Sequence, residues 1–306
     1  MTTESEALKR LESVKHLLAC PNTHFEITIQ EQCLYCAQTN TSFELVNAIP
    51  ALFPSDWIFT QEIIDEDGFY TDDSRQTVFS QSHQLAHINA RLPIKKWCES
   101  LNITKESWFL NIGAGSGNHD LQILQDFTKN ILAIDVSPAA VTLFVERQPF
   151  PCLLGTARRL PLKTDSLDGV IMSGVLHHVA GYERMAPYLQ EALRVLKPGG
   201  AFISLDPNLL FPVSAIMALL DIVGQRVKPG WRHHVPHERP LVPSALRRNV
   251  TRAGFTNVNL LGTSYVHNKF PWFAARLLES MTTSLAKRPL LKHFGYWIGC
   301  SAVKPQ

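Results

Sequence analysis

The sequence predicts an α/β protein: a doubly wound, mostly parallel seven-stranded sheet with a small β-rich unit at its N-terminal end. Three observations carry that expectation. From Phe109 onward, short apolar runs alternate with segments of helical periodicity. Runs such as ILAIDVS and DGVIMSGV are nearly uninterrupted in apolar character, as strands covered on both faces must be. The stretch LNIGAGSGNHD, residues 110–120, packs three glycines into five positions between a strand and a helix.

The elements follow in order. Residues 1–18 read as a short amphipathic helix, and residues 19–54 alternate apolar and polar residues between turn signals, the pattern of short strands. Residues 55–106 are polar and then helical, with SHQLAHINARLPIKKWCESL carrying apolar residues at helical spacing. WFLNI, ILAIDVS, FPCLLGTA, DGVIMSGV and AFISLDPN read as successive strands. The helices between them run from the glycines to Phe127, around PAAVTLFVER, and along MAPYLQEALRVL, where KPGG stops the last. TNVNLLGTSYV and YWIGCSAVK supply two late strands. The expected division is residues 1–56 and 57–306, with an insertion at about 209–240.

Composition sets the bounds. A chain of 306 residues suffices for one large α/β domain and a small appendage. The N-terminus, MTTESEALKRLESVKHL, is polar and lacks a signal-peptide core, and six cysteines do not make a disulfide scaffold. A cytoplasmic protein is therefore expected. The longest uncharged apolar stretch, Leu209 to Leu220, has 12 residues and is too short to span a bilayer. Charge is uneven: residues 226–306 carry 13 Lys and Arg against 2 Asp and Glu, within a chain whose net charge is +2. Such a quarter suits an anionic partner or a solvated basic face.

The glycine turn is the chemical landmark. Gly113, Gly115 and Gly117 let the backbone turn tightly and approach a ligand, and the helix beyond offers free N–H groups. The spacing is G-x-G-x-G, and Asn118 stands where a dinucleotide fingerprint has its third small residue. A nicotinamide cofactor is disfavoured. Asp135 ends the next strand, 18 residues after Gly117, where a carboxylate accepts hydrogen bonds from both hydroxyls of a ribose. The site expects a nucleoside without demanding a pyrophosphate.

At these residues the chain resembles the class I S-adenosylmethionine-dependent methyltransferases, whose sheet is Rossmann-like. The matching segments are LNIGAGSG, AIDVSP, GTARRLPLKTDSLDGVIMSGVLHHV and LQEALRVLKPGGAFISLDPN, ordered between Leu110 and Asn208. The resemblance implies S-adenosyl-L-methionine as cofactor. Gly113, Gly115 and Gly117 would hold its methionine portion and Asp135 its ribose, with Asn111, Thr156, Ala157 and Ser173 completing the cofactor set. Thr156 stands where the family usually carries Asp against adenine, and Asn111 where many relatives carry an acid. An uncharged hydroxyl makes the weaker adenine contact.

ACP at 19–21, CLYC at 33–36 and AIPALFP at 48–54 resemble the zinc-ribbon module of some bacterial methyltransferases, ribosomal RNA guanine methyltransferases among them. The expected zinc set is Cys20, Cys33 and Cys36, one thiolate short, with His24 as the available fourth ligand. The broken count makes a metal-free unit the expectation. His233, His234 and His237 lack acidic or thiolate company and read as a loop contacting substrate rather than a metal site.

Methyl transfer needs an aligned acceptor, and an oxygen acceptor also benefits from a general base. His177 and His178 follow the strand GVIMSGVL at its carboxyl end and are the candidate bases; no carboxylate beside them in sequence marks an orienting partner. Asp206 and Asn208 end the next strand and are expected to point into the cleft. The alternative is that LHHV merely closes the strand. NKFPWFAARLLESMTTSLAKRPLLKHFGYW mixes Phe and Trp with Lys, Arg and His, which suits a helix at a membrane interface or a substrate cap. The favoured acceptor is a small molecule, a natural product, or a lipid- or glycan-linked intermediate, methylated at oxygen, with peripheral membrane contact through the basic region. Two other readings stand beside it: an RNA methyltransferase, and a non-catalytic protein that binds S-adenosylmethionine.

Overall fold

The computed structural model describes residues 4–306 except 31–32, 47–48, 72–84, 86–89, 102, 118, 228–238, 268–269 and 289–290. A small ribbon comes first: β1 (Thr28–Ile29), β2 (Cys33–Cys36), β3 (Thr41–Val46) and β4 (Ile49–Leu52), preceded by α1 (Glu4–Val14). The helices α2 (Gln61–Thr71) and α3 (Leu92–Ser100) lead to the alternating part. There β5 (Phe109–Ile112), α4 (His119–Leu124), β6 (Ile131–Asp135), α5 (Pro138–Arg147) and β7 (Cys152–Gly155) are followed by β8 (Leu167–Ser173), α6 (Tyr182–Val195) and β9 (Leu196–Pro207). The chain closes with α7 (Pro212–Val227), α8 (Pro243–Arg252), β10 (Thr256–Thr263), α9 (Trp272–Ala286) and β11 (Trp297–Val303).

The expectation of a seven-stranded sheet is corrected. The described strands form one 11-stranded sheet in the order β1-β2-β3-β4-β7-β6-β5-β8-β9-β11-β10. Strand β4 runs parallel to β7, with Ala51 opposite Leu154 and Leu52 opposite Gly155, so the ribbon continues the main sheet. The physical reason is that β7 would otherwise end the sheet with a row of unpaired backbone groups. From β4 to β9 neighbours are parallel, while β11 and β10 are antiparallel.

Alternation along each strand divides the core. Leu110 and Ile112 join α1, α6 and α8 through Leu11, Leu189 and Val250, and the ribbon's Leu34 and Phe43 belong to that same cluster. Phe109 faces the other way, with Ile94, Leu121 and Phe144 of α3, α4 and α5. The ribbon's apolar face thus shares the core on the α1 and α6 side of the sheet, which an alternating pattern does not reveal. Local signals set the helix starts. Ser137 caps α5 by accepting from the Ala140 N–H at 3.0 Å, with Pro138 as the first helical residue. No described helix is long and apolar enough to cross a membrane.

Candidate active site

The site lies at the carboxyl ends of neighbouring strands, where a doubly wound sheet binds its ligand. Gly113, Gly115 and Gly117 have φ of +67°, +55° and +99°, a region that side chains strain to enter. The Gly113 N–H donates to the Ile134 carbonyl at 2.9 Å, tying the turn to β6. Asp135 does the rest of the fastening. Its Oδ2 accepts from the Gly115 N–H at 2.8 Å and its Oδ1 from the Ser137 N–H at 3.0 Å. Burial pushes this carboxyl above its ordinary pKa, and the backbone donors of Ser137 and Gly115 act against that rise.

A second element closes over the turn. A Cβ built on Gly115 would lie 2.5 Å from the Tyr70 hydroxyl of α2. One helical turn earlier, Asp67 accepts from the Ser137 hydroxyl at 2.6 Å and from the Ala139 N–H at 2.9 Å. Asp67 therefore caps α5 from a different helix and holds α2 against the glycine turn. Sequence reasoning passed over both residues, because segment 55–106 reads as merely polar at that point. A carboxylate and a tyrosine three residues apart were the only signal.

Beside the turn sits a buried charge pair that sequence reasoning also missed. Arg91, just before α3, donates from Nε to Asp120 Oδ1 at 2.7 Å and from Nη2 to Ser173 Oγ at 3.4 Å. Asp120 is fully buried in the first turn of α4, and its Oδ2 has no hydrogen-bond partner among the described residues. A buried carboxylate oxygen left this way calls for a donor that a ligand can supply.

Across the cleft, His177 occupies a short 3-10 turn, Leu176–Val179, directly after β8. The expectation that no carboxylate orients it is corrected. Asp206, 29 residues on at the end of β9, meets both its backbone N–H and its Nδ1 with one oxygen, each at 3.1 Å. Asp206 is fully buried and His177 nearly so. The partner was invisible because parallel neighbours β8 and β9 are joined through α6. The His178 ring lies 4.2 Å from that of His177, centroid to centroid.

The remaining candidates divide. Asn208 is spoken for: its Nδ2 donates to the His293 and Gly295 carbonyls at 2.7 and 2.8 Å, and its Oδ1 accepts from the Leu210 N–H at 3.0 Å. It fastens the end of β9 to the approach to β11 rather than facing a ligand. Asn111 is buried within β5. Thr156 and Ala157 are buried just past β7, and Thr156 Oγ1 accepts from the Arg158 N–H at 3.2 Å. The four expected zinc ligands do not come together: the Cys36 and Cys20 thiols are hydrogen-bonded to each other, but Cys33 and His24 have other partners. Cys33 Sγ donates to Gln30 at 3.5 Å, while His24 turns toward Glu191 of α6, 3.9 Å away. Among the described residues no three His, Cys, Asp or Glu side chains are grouped to hold a metal. His233, His234 and His237 lie outside the described residues.

Residues 110–204 match a family model described as a methyltransferase domain. An uncharacterised methyltransferase-like protein of Schizosaccharomyces pombe is 38% identical over 122 residues, 39% of this chain and 45% of that protein. The tRNA (carboxymethyluridine(34)-5-O)-methyltransferase ALKBH8 of Mus musculus is 38% identical over 90 residues, 29% of this chain and 13% of that protein. The chain thus spans less than half the length of these curated relatives. Among solved structures, a chain from the complex of the Haloferax volcanii Trm112 methyltransferase activator with a methyltransferase aligns at a TM-score of 0.56. That alignment has 17% identity and covers 82% of this chain and 100% of that one. The glycine turn, the strand-end Asp135 and the matched stretch coincide: residues 110–204, which contain both, are similar to a methyltransferase domain.

Proposed function

We propose that this protein transfers the methyl group of S-adenosylmethionine to an oxygen of a small-molecule, natural-product or lipid- or glycan-linked acceptor, with His177 as the base. The observation that carries this reading is the His177–Asp206 pair, held at 3.1 Å at the carboxyl ends of β8 and β9. A carboxylate only accepts, so in this reading His177 Nδ1 carries the proton and Nε2 keeps its lone pair for the acceptor's proton.

The residues present fit the cofactor. Its methionine end bears a carboxylate and an ammonium; Arg91 suits the first, and the unpartnered Asp120 Oδ2 suits the second. Asp135 already accepts two backbone N–H groups, yet each carboxylate oxygen keeps a further lone pair for a ribose hydroxyl. Thr156, Ala157 and Ser173 line the adenine and methionine sides in this reading, and α2 covers the turn through Tyr70. When bound, S-adenosylmethionine supplies a methyl group on a sulfonium whose sulfur leaves as a neutral thioether. His177 Nε2 takes the acceptor's proton as the oxygen–methyl bond forms, and Asp206 steadies the resulting imidazolium. Such a base contributes about 10²–10⁴ in rate. The six cysteines are free thiols, which suits a reducing cytoplasm. The ribbon is read as a zinc-ribbon relative that now serves as an extension of the sheet.

RNA is the second reading, favoured by the likeness to the tRNA methyltransferase of Mus musculus over 90 residues. Label transfer separates the alternatives. Wild-type protein and His177→Ala are incubated with methyl-labelled S-adenosylmethionine and cell extract, which is then fractionated. Label in organic-soluble or low-molecular-weight material, lost in His177→Ala, supports the proposal. Label in RNA favours the second reading. No transfer by a protein that binds the cofactor would make it a non-catalytic binder.

A further inference from the structure

Helix α9 presents an apolar face outward. Phe273 is 77% exposed and Leu277 63% exposed, and Met281 extends the same stripe at the next i+4 position. Its opposite face is the buried one, with Ala275 and Thr282 turned inward. Helix α7 repeats the arrangement, with Ile216, Leu219 and Leu220 exposed at i, i+3 and i+4. The two helices start from one place. Phe211, the residue before α7, and Phe270, just before α9, both have their rings against His267, at 6.2 and 5.9 Å between centroids. Large apolar side chains turned out on each of two helices anchored at their starts are surface that water alone does not stabilise.

Around α9 the exposed charge has one sign, and the carboxylate of α7, Asp221, is half-buried and engaged in a contact of its own. Arg276 is exposed on α9, and Lys287 and Arg288 are exposed just after it. The one carboxylate of α9, Glu279, is half-buried and accepts from the Ser264 hydroxyl at 3.3 Å, so it is drawn away from the surface. Outward Phe, Leu and Met on a helix, Trp272 at its start, and cations alongside are the features of a helix lying in a lipid interface. A bilayer accepts such side chains without fixed partner geometry, and anionic headgroups complement the cations.

We propose that the face formed by α9 and α7 binds the surface of an anionic membrane, through Phe273, Leu277, Lys287 and Arg288. The proposal does not rest on methyl transfer; it concerns where the protein docks, and a lipid-linked acceptor would gain from it.

Flotation of the full chain with vesicles tests it without turnover. Vesicles of phosphatidylcholine containing phosphatidylglycerol are compared with vesicles of phosphatidylcholine alone, at low and at physiological salt. Binding to the anionic vesicles that weakens with salt is expected, with little to the neutral ones. Each cation near such a surface is worth about fivefold in partitioning, so Lys287→Ala/Arg288→Ala together should lower it at least about tenfold. Phe273→Ser/Leu277→Ser should lower it comparably while S-adenosylhomocysteine binding stays intact. Should that variant misfold, the cation pair decides alone. Absence of the wild type from floated anionic vesicles overturns the proposal. So does binding that neither variant reduces, or a dimer in solution that Phe273→Ser/Leu277→Ser dissolves, which would assign the face to a second copy.

Discussion

The contact between Gly115 and Tyr70 gives a test in which the expected magnitude comes from the geometry. Gly115 has φ +55°, and its Cβ would meet Tyr70 Oη at 2.5 Å, with Cζ next at 3.3 Å. In Gly115→Ala two costs add. The left-handed backbone costs about 1–2 kcal/mol for a residue with a Cβ, and crowding the hydroxyl costs about 1–3 kcal/mol more. Tyr70→Phe removes the oxygen and leaves only ring carbons at ordinary or slightly tight distance. In that background Gly115→Ala should cost the backbone component alone, so the two substitutions should couple by the crowding component, about 1–3 kcal/mol. Urea denaturation of the four proteins measures the coupling, and calorimetric titration with S-adenosylhomocysteine follows the site. Cofactor binding should weaken in Gly115→Ala and recover in part with Tyr70→Phe. Strict additivity in stability would refute the packing of α2 on the turn. Normal binding in Gly115→Val would refute the turn as the cofactor site.

Asp206→Asn should slow methyl transfer by about a hundredfold or more, with S-adenosylhomocysteine affinity within about twofold, because its bonds go to the His177 ring and backbone and not to the glycine turn; loss of binding would mean that Asp206 is structural. Asp67→Ala removes the cap that α5 receives from α2, and should cost about 1 kcal/mol in chemical denaturation and expose α2 to protease sooner. Asp135 carries the pH dependence. Its folded pKa is raised by burial, so its contribution to stability is full below the unfolded carboxylate value and is lost as pH rises through the folded value. Measured by denaturation, the wild type should gain on Asp135→Asn as pH falls across that window, and a flat or opposite trend contradicts it. Metal analysis of protein purified without chelator should find no stoichiometric zinc, and one equivalent lost in Cys33→Ser would restore the zinc site.

How much of this was legible in the sequence depended on whether the physics was local. Strand β6 and helix α5 could be read off, since a continuous apolar run, Ser137 and Pro138 act within a few residues. The glycine turn and Asp135 were legible for the same reason: backbone approach demands glycine, and the strand end fixes the carboxylate. The sheet's true extent was not, because Ala51 and Leu154 are paired by an edge that no spacing announces. Arg91 and Asp120 were equally hidden, since their pairing crosses from the approach to α3 into α4. The His177–Asp206 pair shows the limit most clearly. Each residue was singled out alone, yet the orienting bond needed two parallel strands side by side, and only the folded chain supplies that.

The central claim is that the turn fastened by Asp135 holds S-adenosylmethionine, and calorimetric titration of S-adenosylhomocysteine into wild type and Asp135→Ala tests it most directly. The carboxylate makes charge-assisted bonds of about 1.5–3 kcal/mol each. One site per chain is expected in the wild type, and affinity at least about tenfold weaker in Asp135→Ala with a cooperative melting transition preserved. An unchanged dissociation constant in a folded Asp135→Ala, or no binding at all by the wild type, would contradict the claim.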